Sequence, residues 1–223
     1  SHPKTGLSLS RFLATGTVTN PVAGVGGGED EPSISLAGGA GAVFAGQWNV
    51  GRMTASTIAS FTVQPTMWSG AGVTGGFSGV LDLDGRTGAG LSLGALSVAG
   101  AMQDATVRTS GSIGTLTIGA LLHSDVLAGC DDAVQRHAAA AEDFVDGDAQ
   151  IRSVLIRGVA TSAFGAVDRC FEDSNLSAAR FGTVSLINPE LDSDTDFGLW
   201  ARHSGSGEFR AFICTDALTG DQW

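Results

Sequence analysis

The stretch DATVRTSGSIGTLTIGALLHSDVLAG, residues 104–129, contains one full copy of a spaced apolar pattern, Ile113-Gly-Thr-Leu116-Thr-Ile118. The last three positions alternate apolar, polar and apolar, which is the period of a half-buried β-strand. Ile, Leu, Val and Thr favour a pleated surface, whereas the Gly, Ser and Asp residues between the apolar runs favour tight turns. The stretch therefore predicts short β-strands separated by turns.

The same apolar-x-x-apolar-x-apolar pattern occurs four more times, in copies that begin at Ile58, Leu93, Ile151 and Phe181. A unit of about twenty residues cannot bury an apolar face unless it stacks on its neighbours. A propeller blade needs about 40 residues, and the fixed Asn or Cys of a leucine-rich repeat is missing. We therefore predict a right-handed parallel β-helix with coils of about 20 residues. A β-sandwich, whose strands also recur between Gly-rich turns, is the alternative fold.

The repeat divides the chain into three parts. Residues 1–33 are irregular and Gly-rich and are interpreted as an N-terminal cap or an atypical first coil. Residues 34–202 are assigned to the β-helix, and residues 203–223 to a last strand and cap. Residues 130–150, CDDAVQRHAAAAEDFVDGDAQ, interrupt the repeat with an acidic insertion in which residues 133–141 favour a short helix. Such insertions either carry function or are simply tolerated on a solenoid surface.

Charge and cysteine usage limit the partners. The 23 Asp and Glu residues outnumber the 12 Lys and Arg residues, and the resulting net charge of -11 disfavours nucleic acids and anionic membranes. No apolar run reaches the length of about 18 residues that suggests a membrane-spanning helix, so no membrane insertion is expected. Cys130, Cys170 and Cys214 lack metal-ligand spacing. Because Cys130 and Cys170 each lie next to an interruption of the repeat, a disulfide between them is one prediction. Free thiols are the alternative.

The copies IGTLTI and FGTVSL, with Ser-, Asp- or Asn-led apolar runs between them, resemble the repeats of large exported bacterial β-helix proteins over about residues 50–202. The resemblance implies a secreted or cell-surface location. Many of those proteins are surface proteins of unknown role, and their repeats are packing motifs. Right-handed β-helix proteins include polysaccharide lyases and hydrolases, so the resemblance leaves that option open.

Aromatic and basic residues are the candidate binding groups. Trp68 and Trp200 have rings that stack on sugars, although bulky residues also cover the exposed flank of a solenoid. Arg152 and Arg157 flank the apolar triplet of their coil, so one or both are expected to point outward. These four residues are the predicted binding residues.

Two acidic segments are candidate calcium sites. Asp192, Asp194 and Asp196 alternate in the loop that follows Pro189, and six further carboxylates crowd the insertion. Oxygen ligands spaced by two residues in a loop suit Ca²⁺, which takes six to eight of them. Solvated acidic loops are the alternative interpretation.

No motif in the sequence names a reaction. Asp82 and Asp84 lie on the same side of one predicted strand, and a glycoside hydrolase requires facing carboxylates. We favour a non-catalytic, secreted or cell-surface β-helix module with a structural or adhesive role, whose partner is a polysaccharide or a surface protein. The alternative is a polysaccharide lyase or glycoside hydrolase that acts on an acidic polysaccharide. A grooved face with carboxylates and an Arg would favour the enzyme, and a flat Ser/Thr/Gly face would favour the structural module.

Overall fold

The computed structural model describes residues 7–18, 33–65, 74–159, 169–190, 197–202, 209–215 and Gln222, and for residues 7–18 only the backbone. Nearly all regular structure in these residues is β-strand. The strands are β1 (Leu7–Val18), β2 (Ser33–Ser35), β3 (Gly39–Trp48), β4 (Arg52–Ala55), β5 (Ile58–Val63), β6 (Val80–Leu83), β7 (Leu91–Gln103), β8 (Thr106–Thr109), β9 (Ser112–Leu122), β10 (Asp125–Ala128), β11 (Gln150–Ile156), β12 (Phe171–Glu172), β13 (Asn175–Ala178), β14 (Arg180–Ile187), β15 (Gly198–Ala201) and β16 (Phe209–Thr215).

The strands form two parallel sheets. Sheet A has the order β1-β3-β5-β7-β9-β11-β14-β16, with β12 beside β9, and sheet B has the order β2-β4-β6-β8-β10-β13-β15. Except at β12, successive strands alternate between the two sheets, so each coil of the chain adds one strand to each sheet. Every pairing between these strands is parallel, whereas a β-sandwich is built from antiparallel strands. Two parallel sheets built in this way are consistent with a β-solenoid and differ from the antiparallel sheets of a sandwich.

The sequence repeat sets the register of sheet A. The first apolar residue of each copy pairs with the first residue of the next, and the same holds for the second and third. The three rows are Ile58-Leu93-Ile113-Ile151-Phe181, Phe61-Leu96-Leu116-Val154-Val184 and Val63-Val98-Ile118-Ile156-Leu186. All of these side chains are buried in one core cluster. The predicted repeat is therefore confirmed as the inward side of sheet A.

The ends of sheet A lie in the segments assigned to caps. β1 pairs with β3, so residues 7–18 of the predicted cap or first coil form a strand, with two shifts of register along the pair. β16 pairs with β14 and supplies the last strand that the sequence predicts there.

The helix predicted for residues 133–141 is wrong. The described part of the insertion contains one short 3-10 turn, Ala141–Asp143, and no α-helix. Nine residues are too few for a helix to be stable without tertiary support, and here the apolar side chains Val134, Ala138 and Phe144 are buried by an irregular path instead. None of the described residues belongs to a helix that is long and apolar enough to cross a membrane.

Candidate functional site

The outer face of sheet B is the platform of the site. In β4, β6, β8 and β10 the second residue of each strand is apolar and buried, so the first and third residues point outward. One outward row runs across the whole sheet in register. Its members are Ser35, Thr54, Asp82, Arg108, Leu127, Ser177 and Trp200.

The insertion covers the middle of this face. Val134, Ala138 and Phe144 pack with the outward Leu127 and with Ala179 in a second, smaller core. Burial of these side chains supplies the hydrophobic free energy that holds the insertion on the sheet.

Polar contacts fix the position of the insertion. The Arg108 guanidinium donates hydrogen bonds to the carbonyl oxygens of Asp131 (2.9 Å) and Val134. The backbone N–H of Ala138 donates to the hydroxyl of Ser177 at 3.2 Å. Both contacts satisfy backbone groups that an irregular segment cannot satisfy by itself.

Two stacked rings attach the middle of the insertion to β15. The ring of His137 lies on Trp200, with centroids 3.9 Å apart and planes 11° apart. The Nε1–H of Trp200 donates to Oδ1 of Asn175, and the Asn175 amide donates to Oδ1 of Asp125, both at 2.8 Å. Burial raises the pKa of Asp125 above its ordinary value, although the hydrogen bond from Asn175 lowers it. Arg136 pairs with Asp173 at 2.8 Å beside this network.

A groove of about 700 Å³ remains between the insertion and the earlier strands of sheet B. Its floor comes from the start of β4 and the ends of β6 and β8, and its wall from the insertion. Its lining residues are Arg52, Asp82, Leu83, Asp84, Arg86, Arg108, Thr109, Ser110, Cys130, Asp131, Asp132, Gln135 and Val145. The groove is thus lined mainly by polar groups, with both donors and acceptors.

The arginines of the groove are engaged in structural contacts. Arg52 lies 3.4 Å from the carboxylate of Asp82, and Arg86 lies 2.7 Å from the carboxylate of Asp146. Arg108 is held by the carbonyl oxygens of the insertion. These contacts orient all three guanidinium groups, and the carboxylates of Asp82 and Asp146 reduce the positive charge that a ligand would meet at Arg52 and Arg86.

Two carboxylates of the groove, unlike that of Asp82, have no ion-pair partner among the described residues. Among the described residues, Asp84 and Asp132 have no side-chain hydrogen bond or ion pair, and both are exposed. Cys130 lies at the groove as a buried thiol, and burial raises its pKa to about 12. Since the thiolate is the nucleophilic form, Cys130 is inert at neutral pH.

The structure places the predicted binding residues on different surfaces. Arg152 and Arg157 lie in or just after β11 of sheet A, are exposed, and point toward the carbonyl oxygens of Ala89 (3.4 Å) and Ala99 (3.5 Å). Trp200 lies in sheet B, where it is half-buried beneath His137. These three residues are therefore not brought together. The fourth candidate, Trp68, lies outside the described residues.

The calcium candidates have two outcomes. Asp192, Asp194 and Asp196 lie outside the described residues, so a site there stays a prediction. In the described part of the chain, no group of three His, Cys, Asp or Glu residues is placed to hold a metal ion, which argues against a site in the insertion. Three of its carboxylates have protein partners that hold the insertion in place. Asp143 accepts from the N–H groups of Ala139 and Ala140, Asp146 pairs with Arg86, and Asp148 pairs with Arg180.

The cysteines are three buried free thiols, so a Cys130–Cys170 disulfide is excluded. Asp82 lies in β6 and Asp84 follows directly after its end, and both residues line the groove. Sequence reasoning missed Arg52, Arg86 and Gln135 as groove residues. Part of the signal for Arg52 was available, because β4 and β6 share an outward-apolar-outward pattern. The register sets Arg52 beside Val80, from where its side chain reaches diagonally to Asp82.

The arrangement favours binding of a hydroxyl-rich ligand, which needs donors and acceptors of the kind that the groove supplies. Arg52 and Arg86 are paired with carboxylates, and Arg108 is bonded to carbonyl oxygens and keeps its charge. The carboxylates of Asp84 and Asp132 have no partner among the described residues, so an anionic ligand would meet repulsion from these two groups. Comparison with protein-family models, with curated proteins and with solved structures finds no match to this chain.

Proposed function

We propose that the chain is a non-catalytic binding module of a secreted or cell-surface protein, built as a right-handed parallel β-helix that holds a neutral glycan in the groove beside the insertion. The handedness follows the rule that parallel crossover connections are right-handed in about 98% of cases. The extracytoplasmic location rests on the repeat and on its resemblance to exported proteins.

The observation that carries the proposal is the groove of about 700 Å³ between β4, β6, β8 and the insertion. Ligand pockets typically measure about 300–1,000 Å³ and contain a few convergent polar groups. Here the amide of Gln135 and the free carboxylates of Asp84 and Asp132 can serve the hydroxyl groups of a sugar. The engaged arginines favour a neutral ligand over an acidic one.

The proposal is tested by titrating neutral and acidic polysaccharides into the protein and following the heat of binding. The variant Asp84→Asn/Gln135→Ala removes two groove contacts. The matched control Asp104→Asn/Gln103→Ala makes the same substitutions at exposed positions outside the groove lining. We expect the wild type and the control to bind a neutral polymer, and the groove variant to bind it about tenfold more weakly, a loss of about 1.4 kcal/mol. Equal binding by both variants would contradict the assignment of the groove.

A hydrolase is the second candidate function. One observation favours it, because Asp82 and Asp84 of sheet B share the groove with Asp131 and Asp132 of the insertion. Glycoside hydrolases use two carboxylates that flank the scissile bond. A lyase is less favoured, since each groove arginine that could assist it already has a protein partner.

The two functions are separated by measuring products. The polysaccharide panel is incubated with the protein, with calcium and with chelator, and new reducing ends and unsaturated products are followed. The binding module predicts neither product. Release of reducing ends by the wild type, and their loss in Asp84→Asn, would establish the hydrolase in its place.

A further inference from the structure

The last coils of sheet A present a basic outer face. β11, β14 and β16 contain Arg152, Arg180 and Arg210 and no Asp or Glu, although the chain carries a net charge of -11. Arg152 and Arg210 are both exposed. Arg180 is paired with Asp148 at 2.6 Å, so Arg152 and Arg210 supply the positive charge that a partner would meet.

Apolar side chains lie beside these arginines. Leu155 of β11 and Ile213 of β16 are each 38% exposed, and both pair with Ser185 of β14 in one outward row. Since neighbouring strands are about 4.8 Å apart, β11 and β16 form two ridges about 10 Å apart, with β14 as the valley between them. Gly182 lies between Arg152 and Arg210 in the same way. We call Arg152, Leu155, Arg210 and Ile213 the basic face.

The insertion presents a surface of opposite character. Val145 is 67% exposed, the most exposed large apolar side chain among the described residues. It follows Glu142 and Asp143 in the chain, and Glu142 is exposed. We call Glu142, Asp143 and Val145 the acidic rim. Because the insertion lies over sheet B, the rim and the basic face belong to different sides of the molecule.

We propose that the basic face is a docking surface for the acidic rim of a second copy of this chain. Each surface combines charge with exposed apolar area, and the charges are opposite, so association would neutralise both and bury Leu155, Ile213 and Val145. A contact between two different patches is heterologous. It leaves one basic face and one acidic rim open in every dimer, and it therefore builds a ring or an open filament.

Self-association is measured first, by sedimentation velocity of the wild type over a range of protein and salt concentrations. We expect species larger than the monomer that grow with protein concentration and recede at high salt, because exposed ion pairs are screened. A wild type that remains monomeric at every concentration overturns the proposal. Binding of poly-glutamate by such a monomer would assign the face to a different acidic partner.

Two variants then test the geometry. The first, Arg152→Ala/Arg210→Ala, loses the basic face and keeps the rim; the second, Glu142→Ala/Val145→Ser, loses the rim and keeps the basic face. All four positions are exposed, so both variants are expected to fold, which circular dichroism and thermal unfolding verify. Each variant alone should be monomeric. An equimolar mixture should form a 1:1 dimer and nothing larger, since only one complementary pair of surfaces remains.

Association of either variant to the same extent as the wild type would contradict the assignment of these surfaces, as would a mixture that stays monomeric. The basic-face variant separates this outcome from glycan binding by the groove, whereas Val145 of the rim variant also lines the groove. The basic face lies on sheet A, so the Arg152→Ala/Arg210→Ala variant should bind polysaccharide as the wild type does.

Discussion

Close approach of successive coils makes single glycines decisive at the residue scale. A Cβ atom on Gly114 would lie 2.2 Å from the carbonyl oxygen of Gly94 in the preceding coil, and one on Gly182 would lie 1.9 Å from the carbonyl oxygen of Arg152. Backbone atoms cannot move aside as a flexible side chain can. The glycines that follow the first apolar residue of the repeat are therefore packing positions of sheet A rather than turn residues.

The substitution Gly114→Ala should destabilise the protein by roughly 1–3 kcal/mol, because the added methyl group must displace the neighbouring strand. Gly88→Ala is the matched control, since no atom lies within 4 Å of the added Cβ. That change should be neutral or should stabilise by up to about 1 kcal/mol through the unfolded state. Urea unfolding measures both values. Equal stability of the two variants would contradict this prediction, because it would mean that the strands of sheet A move apart at Gly114 without a cost in free energy.

Asp125 gives a second prediction at this scale. Its raised pKa means that the native protein holds the proton more tightly than the unfolded chain. The stabilising contribution of the protonated group is therefore full below the ordinary pKa of 3.8 and is lost as the pH rises through the higher native pKa. Asp125→Asn should raise the free energy of unfolding at neutral pH and keep the oxygen that accepts from Asn175.

The measurement is urea unfolding of Asp125→Asn and wild type from acidic to neutral pH. Asp104→Asn, at an exposed position, serves as the control. The gain from Asp125→Asn should shrink as the pH falls. A variant that is less stable than the wild type at neutral pH would mean that the ionised form of Asp125 is favoured in the native state.

The insertion is the element that separates this molecule from a plain solenoid. It is attached through Arg108, which bonds the carbonyl oxygens of Asp131 and Val134, and through the His137–Trp200 stack. Sheet B below it is held by its own ladder of backbone hydrogen bonds and its own core. We therefore expect the insertion to be released without loss of the sheets.

Arg108→Ala tests this expectation. The substitution leaves the carbonyl oxygens of Asp131 and Val134 without their donor, which costs about 1–3 kcal/mol. Hydrogen exchange should accelerate in residues 130–149 and stay slow in β7, β9 and β11. Arg157→Ala is the control, because its carbonyl contact is long and exposed. Uniform acceleration in all strands would mean that insertion and sheets unfold together.

The elements also differ in how far the sequence predicts them. The spacing of Ile113, Leu116 and Ile118 was enough to predict the rows of sheet A, because burial of one side of a strand fixes which positions are apolar. The path of the insertion was not predictable in this way. It depends on Arg108, Ser177 and Trp200, which are distant in sequence, and these contacts override the helix preference of its alanines. The groove could not be predicted from the sequence for the same reason, since one of its walls is the insertion.

At the scale of the whole molecule, the three buried thiols couple stability to alkaline pH. Burial raises the pKa of Cys130 from 9.0 to about 12, and it also raises the pKa values of Cys170 and Cys214. The unfolded chain loses these protons first. The stability is therefore full below pH 9.0 and declines as the pH rises toward the native pKa values, by at most about 1.4 kcal/mol per thiol and pH unit.

Urea unfolding from neutral pH to about 10 should show this decline. Cys130→Ala should be less stable at neutral pH, because it leaves a small cavity, but its stability should fall less steeply with pH. Ellman's reagent should label the native wild type slowly and the urea-unfolded chain rapidly. Rapid labelling of the native protein would show that the thiols are accessible.

The pairing of Leu93 with Ile113 has a consequence for engineering. Residues 93–112 constitute one interchangeable module, which begins in sheet A, passes through β8 of sheet B and ends where the next module begins. Duplicating this cassette would add one strand to each sheet and move the insertion about 4.8 Å farther from Arg52. The width of the groove would then grow by about 4.8 Å with each added module. A series of proteins with different numbers of modules would therefore measure the length of the ligand that the groove accepts.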